Sequence, residues 1–160
     1  MATPQKLPAG PAIQVRRLFD ATPERLFDAW TELAQVAQWL CRKQGFNTEH
    51  LCFDGYAGGR FHIRNTSSAG DVYDICGEFR EVRPFEKIAF TWGGTKTLSS
   101  GAVAQNMATD ETLVIVEFFP RGKQTEVVLT HYGLASEDLR NDHTRGWKIC
   151  LDNLGGFLSA

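Results

Sequence analysis

The chain has 160 residues, of which 42% are hydrophobic and 22% charged, enough for one domain with a real core. Its formal net charge is −2, without the basic excess that a nucleic-acid or anionic-membrane partner requires. No apolar run reaches the roughly 18 residues of a membrane span, so neither partner is expected.

The first stretch, MATPQKLPAGP, carries three prolines and no apolar h-region. It reads as a disordered lead over residues 1–11 and not as a signal peptide, with a single domain over residues 12–160. Four cysteines occur, Cys41, Cys52, Cys76 and Cys150, and none forms a CxxC pair. Zinc or a redox motif is therefore not expected. Reduced thiols in the cytoplasm are, with Cys76 and Cys150 as packing residues.

Residues 13–19 (IQVRRLF) alternate as a strand, with Ile13, Val15, Arg17 and Phe19 on one face. A helix follows in ATPERLFDAW. Thr22 is placed to cap it, and Pro23 suits its first turn, where no N–H is needed. Thr31 is placed to cap a second short helix carrying Leu33, Val36 and Leu40, with Trp39 near its end. Glycines then punctuate a run of strands around residues 49–53, 60–65, 71–82 and 87–92. Phe61 and Ile63 share one face. Tyr73, Ile75, Gly77 and Phe79 share another, as do Ile88, Phe90 and Trp92. Strands with one apolar and one polar face mark an antiparallel sheet covered on one side.

Residues 93–110 (GGTKTLSSGAVAQNMATD) are poor in large apolar groups and read as a long surface hairpin or loop. Residues 112–120 and 125–132 form a second hairpin. The first of its strands is apolar on both faces, and in the second Val127, Leu129 and His131 face one way. Ser136 caps a last helix whose apolar stripe runs through Leu139, His143, Gly146 and Trp147, Cys150 and Leu151, Leu154, and Phe157 and Leu158. Within it, HTRGW sets Gly146 beside Trp147. The reading is a spacing device, in which the glycine brings the helix backbone close to the sheet and the ring fills the space between.

A one-sided sheet needs a cover, and only the long helix can supply it. A curved sheet around one helix leaves an apolar pocket of the kind that takes small ligands.

RLFDATPERLFDAWTE, AQWLCRKQGF, GGRFHIR, ICGEFREVRPFEKIAFTW, TEVVLTHYGL and HTRGWKICLDNL occur in this order. Together they resemble the START-like (SRPBCC, helix-grip) superfamily, in the branch named after the activator of the heat shock protein 90 ATPase. The resemblance runs over residues 13–158. It implies an α+β helix-grip fold: a seven-stranded curved antiparallel sheet wrapped around a long C-terminal helix, with two short helices after strand 1 and an internal cavity. It implies no single function, since relatives include lipid and hormone carriers, polyketide cyclases and a co-chaperone domain. Members of the branch often show W-W-G-P where this chain has Trp39-Leu40-Cys41-Arg42.

The favoured expectation is a small-molecule-binding domain for a hydrophobic or amphipathic ligand. Its expected cavity lining is Arg17, Trp39, Phe61, Ile63, Tyr73, Ile75, Phe90, Trp92, His131, His143, Trp147 and Cys150. His131 and His143 come from different elements with no carboxylate or cysteine at ligand spacing beside them, so no metal and no cofactor is expected. A protein-interaction module with a chaperone partner is the alternative. A cyclase or hydratase using Tyr73, Arg17 and His131 as acid, base or orienting groups stands third. A homodimer is left open.

Overall fold

The computed structural model describes residues 6–107 and 112–160. Strand β1 (Ile13–Phe19) turns Val15 and Phe19 inward, with Arg17 between them half-buried. Helix α1 (Pro23–Thr31) starts as its sequence dictates. The Thr22 hydroxyl accepts from the Arg25 backbone N–H at 3.1 Å, and proline occupies the first turn. Helix α2 (Leu33–Val36) is only four residues long, and Glu32 precedes it as cap without a side-chain bond. Thr31 does not cap it, because its hydroxyl donates back to the Phe27 carbonyl of α1 at 2.8 Å.

The remaining strands are β2 (Phe46–Phe53), β3 (Arg60–Ser67), β4 (Val72–Arg83), β5 (Lys87–Thr91), β6 (Gly93–Thr97), β7 (Val103–Met107), β8 (Leu113–Arg121) and β9 (Gln124–Tyr132). Every pairing among them is antiparallel, and seven lie along the path β1-β9-β8-β5-β4-β3-β2. The other two differ from the expected loop. Residues 93–97 continue β5 in the same register along β4, with Cys76 opposite Gly93 as Phe79 is opposite Phe90, and β7 returns beside β6. Small side chains at Gly93 and Gly94 hid this strand, since it carries no apolar alternation to read. The rest of the expected 93–110 segment, residues 108–110, lies outside the described residues.

Strand β4 bends where it passes from one partner to the other. At Gly77 a Cβ would run into the Thr91 carbonyl oxygen and the Phe61 ring, so the close approach there requires glycine. A bulge follows between Phe79 and Glu81. Together they curl the sheet. The double apolar face of β8 also has a physical reason. Val114, Val116 and Phe118 enter the main core, while Leu113 and Ile115 join Ala89 and Tyr132 in a small cluster on the opposite face.

Helix α3 (Glu137–Ser159) spans 23 residues, about 34 Å at 1.5 Å per residue. Ser136 caps it, accepting from the Leu139 N–H at 3.1 Å. It buries Trp147, Cys150, Leu151 and Leu154 against the curled sheet. Gly146 does not lie in that contact. A Cβ built on it meets nothing within 4 Å, and the residue is exposed. The expected spacing role of Gly146 is therefore wrong. The stripe turns by about 100° per residue, and that rotation carries position 146 off the buried face while Trp147 lands on it.

Candidate functional site

A cavity of about 630 Å³ opens between α3, the sheet and the turn after α2. Tyr73 and Ile75 reach it from β4, Asn65 from β3, and Trp92 from the junction of β5 and β6. Trp147 and Cys150 face it from α3, and Cys41 from the turn. Its rim is exposed and charged, with Arg42, Lys43 and Arg145 against Asp142. A second space of about 200 Å³ shares Tyr73, Ile75, Trp92 and His143 with it, so these four side chains form the partition.

The turn carrying Cys41 is held with unusual completeness. Four consecutive carbonyls each accept a side-chain hydrogen bond. Asn153 Nδ2 of α3 donates to Trp39 O at 3.2 Å and to Arg42 O at 2.8 Å. His50 Nε2 of β2 bonds Leu40 O at 3.1 Å, and Asn65 Nδ2 bonds Cys41 O at 2.8 Å. A carbonyl can only accept, so His50 carries its proton on Nε2. The cavity wall is thus tied to α3, β2 and β3 at once.

The polar groups around the cavity are few. Asn65 spends its amide N–H on Cys41, which leaves its buried Oδ1 without a hydrogen-bond partner among the described residues. His143 Nδ1 donates to Leu139 O at 2.9 Å, and its ring meets that of His131 edge to face at 5.1 Å. His131 is completely buried, and its Nδ1 accepts from Trp147 Nε1 at 3.1 Å. Burial, aided by neighbouring His143, pushes its pKa down to about 3. Burial also holds His143 below the usual imidazole range. Both rings are therefore neutral near pH 7.

Of the expected lining, Tyr73, Ile75, Trp92, His143, Trp147 and Cys150 stand on the cavity wall. The others lie elsewhere, each for a packing reason. Arg17 keeps to the inner face but pairs there with Asp152 of α3, outside the cavity lining. Trp39 is fully buried beside α1, donating to Ala29 O at 2.9 Å with its ring 4.6 Å from Trp30. Phe61 meets both Phe79 and Phe90 edge to face in one aromatic cluster, and Ile63 is sealed in the same core. His131 sits behind Trp147. The acid–base trio of Tyr73, Arg17 and His131 is consequently not assembled at one place.

Asn65, Cys41 and the rim charges were missed. Asn65 was within reach of the pattern, since the alternation that turns Phe61 and Ile63 inward also turns residue 65 inward. Arg42 and Arg145 are more than a hundred positions apart in the chain, and nothing local pairs them. Among the described residues no group of three or more His, Cys, Asp or Glu side chains is gathered closely enough to hold a metal ion. No helix among them is long and apolar enough to cross a membrane.

A curled antiparallel sheet closed on one long C-terminal helix, with two short helices after its first strand, defines a START-like helix-grip domain. The chain belongs to the family described as Activator of Hsp90 ATPase homolog 1-like protein, whose model matches residues 20–159. Solved structures of the same fold include the AHSA1 protein of Silicibacter pomeroyi, at TM-score 0.75 and 22% identity over 93% of this chain and 98% of that one. A protein of Rhodobacter sphaeroides superposes at TM-score 0.74 with 20% identity, over 96% and 97% of the two chains. One from Chromobacterium violaceum does so at 0.74 and 19%, over 91% and 95%. Among curated proteins none matches the chain.

Proposed function

We propose that this protein binds a small amphipathic anion, with its apolar body in the cavity under α3 and its charged group at the rim. The observation that carries the reading is the cavity itself. Its volume of about 630 Å³ lies within the roughly 300–1,000 Å³ of small-molecule sites. Its inner wall is aromatic and aliphatic, from Tyr73, Ile75, Trp92 and Trp147. At the rim three cations stand against one carboxylate, although the chain as a whole carries a net charge of −2. Arg145 already pairs with Asp142. Arg42 and Lys43 remain without a carboxylate partner among the described ion pairs, and a ligand anion would fit them. Asn65 Oδ1 offers an acceptor for a hydroxyl or amide N–H on the ligand body.

Native mass spectrometry against a panel of aromatic and aliphatic carboxylates, with matched neutral alcohols, tests this. Retention of acids over alcohols, weakened by Arg42→Glu and Lys43→Glu, is expected. Equal retention of both sets, or of neither, counts against it.

The family's description supports a second reading, action on a heat shock protein 90 ATPase. Rates of that ATPase with and without this protein decide it. An unchanged rate rules it out.

A further inference from the structure

Thr48 Oγ1, His50 Nδ1 and Asn65 Oδ1 are buried polar atoms with no hydrogen-bond partner among the described residues, and they gather on the inner face of β2 and β3. Thr48 and His50 alternate inward along β2. Thr48 stands directly opposite Asn65 in the ladder, a placement that sets their Cβ atoms about 5 Å apart. The His50 ring and the Asn65 amide then converge on adjacent carbonyls, Leu40 O at 3.1 Å and Cys41 O at 2.8 Å. Those two bonds decide which atoms are left over. His50 has its proton on Nε2, so its Nδ1 is a bare lone pair. Asn65 turns Nδ2 to the carbonyl, so its Oδ1 is the free end. Both atoms can only accept, while the Thr48 hydroxyl can donate and accept.

Buried polar atoms are rarely left bare, because each has given up its hydration for no return. Such a place is filled by water or by a polar group of a ligand. Two observations favour a ligand. Asn65, only 8% exposed, stands on the wall of the 630 Å³ cavity. The rim cations are also close, since Arg42 and Lys43 follow Cys41 directly in the chain. The Arg42 charge reaches His50, where it adds to burial in holding the imidazole below its usual range, against the Leu40 bond.

We propose that Asn65, His50 and Thr48 select a hydrogen-bond donor close to the ligand's anionic end, which makes the ligand a hydroxy carboxylate. The inference rests on the anion reading above and narrows it. One hydroxyl answers the trio in both directions, donating to Oδ1 or Nδ1 and accepting from Thr48. A methyl ether at the same carbon can only accept, and it leaves both acceptors bare. Because Arg42 and Lys43 adjoin the trio, the hydroxyl belongs within a few bonds of the carboxylate, as in a β-hydroxy fatty acid. A hydroxyl at the far end of the chain misses it.

Isothermal titration of the full-length protein with decanoate, its β-hydroxy, β-methoxy and ω-hydroxy derivatives, and decanol tests this. β-Hydroxydecanoate is expected to bind about three- to tenfold tighter than decanoate, the worth of one net hydrogen bond. The β-methoxy and ω-hydroxy compounds should gain nothing. In Thr48→Val the ratio between β-hydroxydecanoate and decanoate should narrow. Equal binding of the β-hydroxy and β-methoxy compounds, as a resident water filling the trio would give, overturns the proposal and leaves the anion reading standing. A ratio undiminished in Thr48→Val also overturns it, by placing the hydroxyl elsewhere. Decanol bound as tightly as decanoate, or neither bound, removes the anion reading and this inference with it.

Discussion

The indole N–H of Trp147 donates to Nδ1 of His131 at 3.1 Å, joining α3 to β9 behind the cavity. The bond fixes the tautomer of His131, whose proton must then sit on Nε2, where it has no partner among the described residues. Protonating Nδ1 would destroy the bond and place a charge in the core.

Stability should accordingly fall with acid in a defined window. The pKa of His131 is about 3 when folded and about 6.5 when unfolded. Between those values the unfolded chain binds more protons, so stability is full above about pH 6.5 and is lost as pH falls toward 3. At about 1.4 kcal/mol per pKa unit the loss amounts to several kcal/mol. His50 and His143 shift in the same direction, each through burial first. Urea unfolding midpoints at pH 7.5 and 4.5 measure the effect, and His131→Asn, which keeps an acceptor for Trp147, should flatten the slope. An equal slope in the variant would remove His131 from the account.

Truncating Trp147 should cost about 3–5 kcal/mol, the range for a large buried side chain. The ring is 2% exposed and lies 4.7 Å from that of Trp92. Thermal unfolding of Trp147→Ala reads the loss. A Tm within a degree or two of the parent would contradict the burial.

Gly146→Ala should stabilise by about 1 kcal/mol, the helix-propensity difference, because the added methyl meets only open space. Had Gly146 set the distance between helix and sheet, the same change would destabilise. The sign of the Tm shift separates the two.

The fold was legible where local chemistry and global pattern agree. Thr22 and Ser136 announced their helices because a capping hydroxyl has one use at that place. The strands announced their inward faces by alternation. Thr31 misled, since its hydroxyl had a nearer acceptor in the preceding turn. Strand β6 stayed hidden because its partner β4 makes it, and its own side chains do not. The candidate site was half legible. Inward residues could be named, but whether an inward residue meets cavity or core depends on how far the sheet curls away from α3. Phe61 and Tyr73 both point inward, and only Tyr73 reaches the space. Gly146 fits the three-and-four spacing of the stripe yet falls just outside the buried arc, one position from Trp147.

The rim should act through charge. Reversing Arg42 or Lys43 should weaken an anionic probe at least several-fold and leave a neutral probe of equal size unchanged, with the effect shrinking as salt rises. Isothermal titration at two ionic strengths measures it. Equal weakening of both probes would point to a distorted cavity in place of a lost charge.

The most direct measurement is dye uptake by the folded protein and by two variants that narrow the cavity, Gly146→Trp at its exposed mouth on α3 and Ile75→Trp on the β4 wall. Fluorescence titration with anilinonaphthalene sulfonate should show saturable one-site binding in the parent and its loss in both variants, at unchanged circular dichroism. Binding that survives both substitutions would place the dye elsewhere on the molecule and contradict a ligand site between α3 and the sheet.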